Sequence, residues 1–329
     1  MKLKVGQFIA ACLLCGLSFW SSLLWAQSEP ASSTALFRVT LLGTGTPVPQ
    51  INRAGNSTLI EAGNQKFIFD FGRNASARLW QLGIPLGRID AFFLTHFHSD
   101  HIIGFPDFWL IGWLQPAYGS RKLPLQLYGP TGVKAFATGL EQAYASDIAT
   151  RQQDEQTPLD GVMIDAHDCL PGLVYDKDGV KIYSFNNDHG DKIKPSYGYR
   201  IVYRDHVVVI SGDTRYSPEV VKQATGADIL IHSVSMTSPE LLKANPGYKA
   251  IAAHLSAPED AAQVFNQARP KLVILSHIGL NGDVTVSNIA GIVQNHYNGA
   301  FVIGEDLMRF NIPTQDSQGQ ISMWIGAGK

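Results

Sequence analysis

The chain has 329 residues and a net charge of −2 at pH 7. This near-neutral balance gives no sign of a basic surface that would follow a phosphate backbone, so it argues against bulk nucleic-acid binding. The length suits one large domain or two medium ones, and no repeat or linker rich in Pro, Gly and Ser divides the chain beyond its first 35 residues.

The first 26 residues have the pattern of a secretory signal peptide. Lys2 and Lys4 precede an almost wholly apolar run over 5–25, and Ala26 supplies the small residue at a cleavage site. The pattern predicts that residues 1–26 are removed and that the mature chain is periplasmic or secreted, with no stable membrane association. A retained membrane anchor is the alternative, because the apolar run approaches the length that spans a bilayer.

Two further segments follow the leader. Residues 27–35 are rich in Ser, Ala and Pro and predict a flexible lead-in, and residues 36–329 form the expected folded domain. Cys12, a further candidate for lipidation, and Cys15 lie in the leader. Only Cys169 remains in the mature chain, which therefore cannot form a disulfide within itself.

Short apolar strands and helical patterns alternate along the folded domain. In chain order the segments are the strands LFRVTLLG, NSTLIEAG and KFIFDFG, the helix ASARLWQLG, the strands IDAFFLT and LPLQLYG, the helix TGVKAFATGLEQAYA, the strands VKIYSFNN, YGYRIVYR and HVVVISGD, the helix 217–224, the strand ADILIHSV, the helix 258–268, the strand KLVILSHI, the helix 285–296 and the strand AFVIG. Strand-rich blocks interleaved with helices favour two sheets covered by helices over a simple doubly wound sheet.

A dense group of metal-binding side chains directly follows the strand AFFLT. His96, His98, Asp100 and His101 lie within six positions. Residues two apart project to the same side of an extended backbone, so His96 and His98 can hold one ion while the other two point to a neighbouring position. Imidazoles and a carboxylate suit zinc and similar metals, which favours a metal site over a His-rich polar loop.

Three further candidates follow predicted strands. His189 lies in NNDHGD, Asp213 ends VVVISGD, and His277 ends LVILSH. Singly they can be a loop histidine, a helix cap and a strand-end histidine. Together with the first group they indicate additional ligands at one edge of the fold, where the site residues of layered α/β proteins collect.

The order HxHxDH, a distant His, the Asp of GDT and a final His resembles the metallo-β-lactamase superfamily. Within it the chain resembles the ribonuclease Z-like branch, which includes class II cyclic-nucleotide phosphodiesterases and, as the nearest expected relatives, secreted bacterial arylsulfatases. Matching segments cover most of 36–329, among them LLGTGTPVP, FIFDFGRNASARL, YGPTGV, SYGYRIVY and VVVISGDTRYS. The resemblance implies an α/β fold, the αββα metallo-β-lactamase sandwich, with a two-metal site at one edge.

The resemblance also implies two Zn²⁺ ions per chain, with manganese or iron as alternatives. The implied ligands are His96, His98 and His189 for the first ion, Asp100, His101 and His277 for the second, and Asp213 as the bridge. Two such ions lower the pKa of a bound water toward ~7 and make hydroxide available for attack on an ester. Asp100 would also help to orient that water.

His254 is the implied proton donor to the leaving group. It begins HLSAPEDAAQVF, which matches the segment whose histidine acts near the scissile bond in ribonuclease Z. The alternative is that His254 caps the helix that begins near Pro258. The remaining histidines are expected to be structural, and His232 in particular is expected to be buried and neutral.

Several departures from ribonuclease Z argue against tRNA processing. The long tRNA-gripping arm of that enzyme lies between the third ligand histidine and the bridging aspartate, but His189 and Asp213 are only 24 positions apart. Ser233 replaces the glutamate of the family, and the predicted export separates the chain from precursor tRNA.

The expected function is therefore hydrolysis of sulfate esters, chiefly aryl sulfates, by a secreted two-zinc, arylsulfatase-like ester hydrolase that attacks with metal-bound hydroxide. A phosphodiesterase for cyclic nucleotides or aryl phosphodiesters is the alternative, and a lactonase is a more distant one. Trp109, Trp113 and Tyr118 can wall an aryl pocket or simply pack against the sheet. No nucleic acid polymer is expected as a partner, and a homodimer stays open.

Overall fold

The computed structural model describes residues 36–115, 117–314 and 320–325. These residues belong to one unit of contacting elements. The predicted signal peptide over 1–26 and the lead-in over 27–35 lie outside the described residues. Within the described ranges, no helix combines the length and the apolar character that a bilayer span requires.

Fifteen strands occur in the described part of the chain. They are β1 (Phe37–Gly43), β2 (Ser57–Ala62), β3 (Gln65–Phe69), β4 (Ala91–Phe93), β5 (Leu125–Pro130), β6 (Ile164–Cys169), β7 (Gly172–Lys177), β8 (Val180–Asn186), β9 (Tyr197–Tyr203), β10 (His206–Ile210), β11 (Ile229–Thr237), β12 (Leu272–Asn281), β13 (Phe301–Ile303), β14 (Met308–Asn311) and β15 (Ser322–Ile325).

Nine α-helices occur in the same ranges. They are α1 (Ala75–Gln81), α2 (Ser99–Ile102), α3 (Val133–Ala143), α4 (Ala145–Glu155), α5 (Pro218–Ala224), α6 (Pro239–Ala244), α7 (Gly247–Ala252), α8 (Pro258–Ala268) and α9 (Val286–His296). Short 3₁₀ turns cover Leu86–Arg88 and Leu159–Gly161, and a π-helical turn covers Asp107–Ile111.

The strands form two mixed sheets. The first has the order β15-β14-β1-β2-β3-β4-β5-β6, and the second has the order β13-β12-β11-β10-β9-β8-β7. In the first sheet β3 to β6 run parallel, and in the second β10 to β13 run parallel. The other neighbouring pairs are antiparallel.

The sheets pack face to face and helices cover their outer faces. Phe67 and Phe69 of β3 point into the core between the sheets, whereas Ile68 points into the core beneath the first helical layer. In β11, Ile229 likewise points into the core between the sheets, whereas Leu230 packs against the helices α5, α8 and α9. Because successive side chains of a strand point to opposite faces, apolar residues at every position bury both faces. The predicted α/β class and αββα sandwich are confirmed.

The carboxyl ends of parallel strands bring the site together. The metal loop follows β4 in the first sheet, and Asp213 follows β10 in the second. The two sheets are joined beside the loop by hydrogen bonds that Tyr197 N and Tyr199 Oη donate to the carbonyls of Thr95 (3.0 Å) and Leu94 (2.6 Å). These bonds hold the end of β4 against β9, so ligands from both sheets meet at one edge.

Candidate metal centre

The buried carboxylate of Asp70 holds the loop after β4 in position. Asp70 Oδ1 accepts hydrogen bonds from Thr95 N at 2.8 Å and from Thr95 Oγ1 at 3.0 Å. His98 keeps an extended backbone, and α2 begins at the next residue, Ser99. The extended segment from His96 to His98 followed by one helical turn therefore aims successive side chains at two neighbouring points.

Three imidazoles meet at the first of these points. Ligand atoms of His96, His98 and His189 lie within 4.8 Å of one another. His189 Nε2 is 3.2 Å from His98 Nδ1, and His189 Nδ1 lies 2.9 Å from the backbone carbonyl of His254, to which it can donate. The carbonyl fixes the tautomer of His189, so its Nε2 is left with a lone pair for an ion.

A second group lies beside the first. Asp100, His101 and His277 also have ligand atoms within 4.8 Å of one another. His277 Nε2 is 3.1 Å from Asp100 Oδ2, and His101 Nε2 is 3.5 Å from the same oxygen. One carboxylate and two imidazoles make a mixed donor set of the kind that zinc, manganese or iron accept.

Asp213 lies between the two groups. Its Oδ2 is 3.3 Å from His277 Nε2, 3.4 Å from His101 Nε2 and 3.8 Å from His189 Nε2. Gly212 before it adopts φ +61°, a left-handed conformation that glycine takes without steric cost, and this turns the chain sharply after β10. The tight turn delivers the carboxylate to the space that both groups share.

A β-bulge presents His277. The pairing of β11 with β12 runs from Ser233–Ser276 directly to Val234–Ile278, so His277 is the extra residue of β12. Its φ of +46° is uncommon for a residue with a side chain. The bulge re-aims the imidazole into the site while the strand continues for four more residues, to Asn281. The predicted end of this strand, at Ile278 in KLVILSHI, is therefore wrong, since the chain continues as strand through the bulge to Asn281.

The hydrogen bonding of the buried donor atoms shows whether this group of side chains suits a divalent metal. Among the described residues, the buried atoms His96 Nε2, His101 Nε2 and Asp213 Oδ1 have no hydrogen-bond partner. Buried polar atoms left unpaired are costly, and these three residues place their ligand atoms within 4.8 Å of one another. An ion at that point would satisfy them, so the residues suit a metal better than they suit an empty polar core.

Burial and charge act in opposite directions on the ionisation of this cluster. Burial lowers the pKa of His96 well below its ordinary value and lowers that of His189 to about 4. Burial also disfavours the charged forms of His101 and Asp213, but opposite charges nearby overcome it. Asp213 and Asp70 raise the pKa of His101, and His277 and His101 lower the pKa of Asp213. His96, His189 and Asp213 thus have the states in which imidazoles and carboxylates bind metals, whereas His101 would have to release the proton that the carboxylates favour.

Sequence reasoning missed Asp70. Its Oδ2 lies 2.8 Å from His101 Nδ1 and accepts a hydrogen bond of 2.9 Å from Thr95 Oγ1. A carboxylate behind a metal-binding histidine sets the tautomer and orientation of its ring. The available signal was the position of Asp70 directly after β3, at the same edge as the first metal-binding group.

His254 lines the cleft above the metal-binding side chains. Its ring centroid is 5.1 Å from that of His189. Helix α8 begins at Pro258 with Ala257 at the N-cap position and no side-chain cap, so the alternative that His254 caps this helix is wrong. Burial lowers the pKa of the His254 imidazole, against the opposing influence of Asp213.

The aromatic residues expected to wall an aryl pocket lie elsewhere. Trp109 and Trp113 are fully buried, and their indole nitrogens donate to the carbonyls of Val162 (2.6 Å) and Pro158 (2.7 Å). Tyr118 is exposed and lies beside Trp80, with 5.7 Å between the ring centroids. Of the two alternatives from the sequence, a wall around an aryl pocket is therefore wrong, and packing against the sheet is confirmed for Trp109 and Trp113.

The histidines predicted to be structural have structural partners. His232 is fully buried, its Nδ1 lies 2.7 Å from the carbonyl of Ser233, and burial lowers its pKa to about 4, so it is neutral as predicted. His167 is stacked on Tyr128, His206 is 3.3 Å from Asp228, and His296 Nδ1 is 2.8 Å from the carbonyl of Ile292 in its own helix.

Comparison with known proteins places this centre in a family. Residues 37–246 match the family described as Anti-Pycsar protein Apyc1. The chain is also 32% identical over 242 residues to ribonuclease Z from Mycobacterium sp. (strain KMS), covering 74% of this chain and 84% of that enzyme. The chain belongs to the ribonuclease Z-like branch of the metallo-β-lactamase superfamily.

Solved structures of low identity share the fold of this ribonuclease Z-like chain. The metallo-β-lactamase fold protein YhfI from Bacillus subtilis superposes with a TM-score of 0.63 at 18% identity, covering 84% of this chain and 99% of that one. The short form of human tRNase Z superposes with a TM-score of 0.63 at 23% identity, with the same coverage.

Two functional expectations from the sequence are overturned by these relatives. The prediction of a sulfate esterase that does not process tRNA is wrong, because the chain is 32% identical to an enzyme named ribonuclease Z over 84% of that enzyme. The exclusion of nucleic acid polymers as partners is wrong for the same reason. Net charge is a sum over the whole surface, so it does not show whether positive charge is concentrated in one place. The short interval between His189 and Asp213 excludes an RNA-binding arm only at that one position in the chain.

Proposed function

We propose that this ribonuclease Z-like chain is a metal-dependent phosphodiester hydrolase that acts on RNA, with the 3′ end of precursor tRNA as its first candidate substrate. The observation that carries the proposal is the pair of adjoining donor groups joined by Asp213, in a chain 32% identical to a ribonuclease Z over 84% of that enzyme. Metal-binding side chains alone would suit many hydrolases, and the named relatives direct the choice to RNA.

We assign the metal-binding side chains to two positions. His96, His98 and His189 would hold the first ion, Asp100, His101 and His277 the second, and Asp213 would contact both. Zinc is the proposed metal, with manganese or iron as alternatives for the same donors. When bound, such ions activate water for attack and polarise a phosphoryl oxygen.

The other side chains of the site orient and transfer protons. Asp100 lies where it can accept a hydrogen bond from the attacking water while it also binds an ion. His254 lines the same cleft and can donate a proton to the leaving oxygen. Although burial lowers the pKa of its imidazole, an anionic phosphodiester beside it favours the protonated ring and raises the pKa again.

The proposal is tested by incubating the zinc-loaded protein with a precursor tRNA that carries a 3′ trailer. Cleavage at the trailer is expected, and Asp213→Ala is expected to abolish it and to lower the zinc content measured by elemental analysis. Asp147→Ala, which changes an exposed carboxylate on α4, is the matched control. Failure of the zinc-loaded wild-type protein to cleave any RNA would contradict the function, and full zinc content in Asp213→Ala would contradict the ligand assignment.

The role of His254 is tested separately. His254→Ala is expected to keep its zinc but to slow cleavage by about 10²-fold, most strongly for esters with poor leaving groups, because these need a proton most. Single-turnover rates on aryl phosphodiesters of graded leaving-group pKa measure this dependence. An equal rate loss with every leaving group would show that His254 does not donate the proton.

We further propose that the chain is exported, because Lys2, Lys4 and the apolar run over 5–25 have the pattern of a signal peptide. Export would separate the enzyme from precursor tRNA in the cytoplasm, so an exported enzyme would act on other RNA, outside the cytoplasm, and the two proposals are tested separately. Fractionation of cells that express the full chain, beside a version lacking residues 1–26, tests this. Cytoplasmic enzyme in both cases would contradict export without bearing on RNA cleavage.

A further inference from the structure

The cleft over the metal centre is lined by residues beyond those that hydrolysis requires. Its volume is about 420 Å³, and its floor carries metal-binding side chains such as Asp100, His189 and His277. Two other parts of its lining lie beyond the reacting centre. One is a polar edge from the ends of β11 and β12, and the other is an apolar wall from α7 and the residues after it.

The polar edge exists because β11 and β12 continue past the bulge at His277. Ser235 and Asn281 line the cleft there. Asn281 Nδ2 donates to Ser235 Oγ at 3.4 Å and to Thr237 Oγ1 at 3.2 Å. A Cβ on Gly279, which is paired with Ser235, would lie 2.4 Å from Ser235 Oγ, so glycine leaves the room that this hydroxyl occupies.

These contacts determine what the edge offers to a ligand. They occupy both amide hydrogens of Asn281, so its Oδ1 can accept a hydrogen bond from a ligand. Ser235 Oγ already accepts from Asn281, so its own hydroxyl hydrogen can be donated. The edge thus presents one donor and one acceptor side by side.

The apolar wall is formed by Tyr248, Ile251 and Leu255. Ile251 is 41% exposed although it is apolar, and Tyr248 is half-buried on the same short helix. Pro47 and Val48, in the loop after β1, add further apolar lining, and Val48 is 59% exposed. Exposed apolar side chains around a polar floor are typical of a pocket that stacks a flat ligand group.

We propose that Tyr248, Ser235 and Asn281 form a subsite for the nucleobase next to the scissile phosphate. The base stacks on Tyr248, and its hydrogen-bonding edge meets the donor of Ser235 and the acceptor of Asn281. This inference rests on the proposed action on RNA and specifies how the same cleft recognises its substrate.

A nucleobase fits this lining better than a purely apolar group does. Every nucleobase is flat and carries a donor and an acceptor side by side on its pairing edge. An aryl or alkyl group would fill the apolar wall but would leave the hydroxyl hydrogen of Ser235 and Oδ1 of Asn281 unpaired, and unpaired polar atoms in a binding site weaken affinity.

Binding measurements test the subsite independently of cleavage. Titration calorimetry on the zinc-loaded protein compares the four nucleoside 5′-monophosphates with ribose 5-phosphate, which lacks the base. At least one nucleotide is expected to bind about tenfold more tightly than ribose 5-phosphate, as stacking on an aromatic ring contributes. Tyr248→Ala and Asn281→Ala are each expected to bring this ratio toward one.

Two comparisons separate a lost subsite from a lost fold. Tyr248→Phe keeps the ring and is expected to recover the ratio. Tyr118→Ala, an exposed tyrosine outside the cleft, is expected to keep both the ratio and the RNA cleavage rate. Thermal melting of every variant shows that it is folded before its affinities are compared.

The outcomes distinguish this inference from the proposed function. Equal affinity for nucleotides and ribose 5-phosphate would overturn the subsite even if RNA is cleaved, and so would an unchanged ratio in both Tyr248→Ala and Asn281→Ala. Base-dependent binding that these variants abolish, in a protein that cleaves no RNA, would support the subsite and contradict only the choice of RNA as substrate.

Discussion

Asp70 lies behind the metal centre and joins several parts of it. Its carboxylate accepts hydrogen bonds from Thr95 N and Oγ1 and from Asn56 Nδ2, and it lies 2.8 Å from His101 Nδ1. Because Asp70 holds the proton of His101 on Nδ1, the lone pair of Nε2 faces the other metal-binding side chains. A single buried residue thus sets both the path of the loop after β4 and the orientation of one proposed ligand.

Replacing Asp70 tests this positioning role. Asp70→Asn keeps the size of the side chain but removes its charge and replaces one acceptor oxygen with a donor. We expect metal affinity to fall about 10- to 100-fold, the usual consequence of losing a carboxylate behind a metal-binding histidine. Competition with a chromogenic zinc chelator measures the affinity, and Asp165→Asn on the exposed face of β6 is the control. Equal zinc affinity of Asp70→Asn and wild type would assign Asp70 to loop stability alone.

Sequence patterns identified the candidate metal-binding side chains but not the residue that holds them in position. His96, His98, Asp100 and His101 stand out because four ligand-type side chains lie within one turn. Asp70 is a lone aspartate after a strand, and no local pattern reports that its side chain reaches His101, 31 positions later.

At the scale of the element, β11 carries a buried titratable group. His232 is fully buried, its Nε2 has no hydrogen-bond partner among the described residues, and its ring lies 5.4 Å from that of Phe265. Burial lowers its pKa from 6.5 to about 4. In the unfolded chain the ring takes up a proton as the pH falls through 6.5, whereas in the folded chain it does so only near pH 4.

The unfolded state therefore binds more protons between pH 6.5 and 4, and the contribution of His232 to stability is lost as the pH falls through this window. Between pH 7 and 5 we expect the zinc-loaded wild-type protein to lose about 2 kcal/mol more unfolding free energy than His232→Asn, which cannot titrate. Urea unfolding at both pH values measures the difference. Parallel losses in the two proteins would show that His232 keeps an ordinary pKa.

The bulge in β12 shows where periodicity stops being informative. The apolar run of KLVILSHI predicts a strand that ends at Ile278, but the structure continues it to Asn281. A bulge inserts one residue and shifts the register, so the residues after it no longer follow the pattern that precedes it. The extended ends of β11 and β12 are the elements that place Ser235 and Asn281 in the cleft.

At the scale of the whole molecule, the metal centre joins the two sheets. Its donors follow β4 in the first sheet and β8 and β10 in the second, and His277 lies at the bulge within β12. An ion that binds only when these ends meet stabilises the folded state over the unfolded one. Without an ion, the unpaired buried atoms of His96, His101 and Asp213 oppose folding.

Removal of metal is therefore expected to lower the melting temperature. Free zinc at a hundred times its dissociation constant would stabilise the protein by about 2.7 kcal/mol per site. Calorimetric scans with and without a chelator measure the shift, and Asp213→Ala is expected to respond much less to the chelator. Identical melting temperatures of the wild-type protein with and without chelator would contradict a structural contribution of the metal.

The sequence by itself determined the features that depend on near neighbours in the chain. Alternating and continuous apolar runs predicted two sheets covered by helices, and residue types at strand ends identified the metal-binding candidates. These signals are local, because the side-chain period of a strand and the ligand chemistry of a short segment need no distant partner.

Only the tertiary structure decided which distant residues meet. It joined Asp70 to His101, aimed His277 through a bulge, buried Trp109 and Trp113 away from the cleft, and brought Ser235 and Asn281 to its edge. Each outcome depends on strand register and on packing between segments far apart in the chain, which no local period encodes. The error about the substrate arose from the short interval between His189 and Asp213, from Ser233 and from the predicted export, and none of these describes the walls of the cleft.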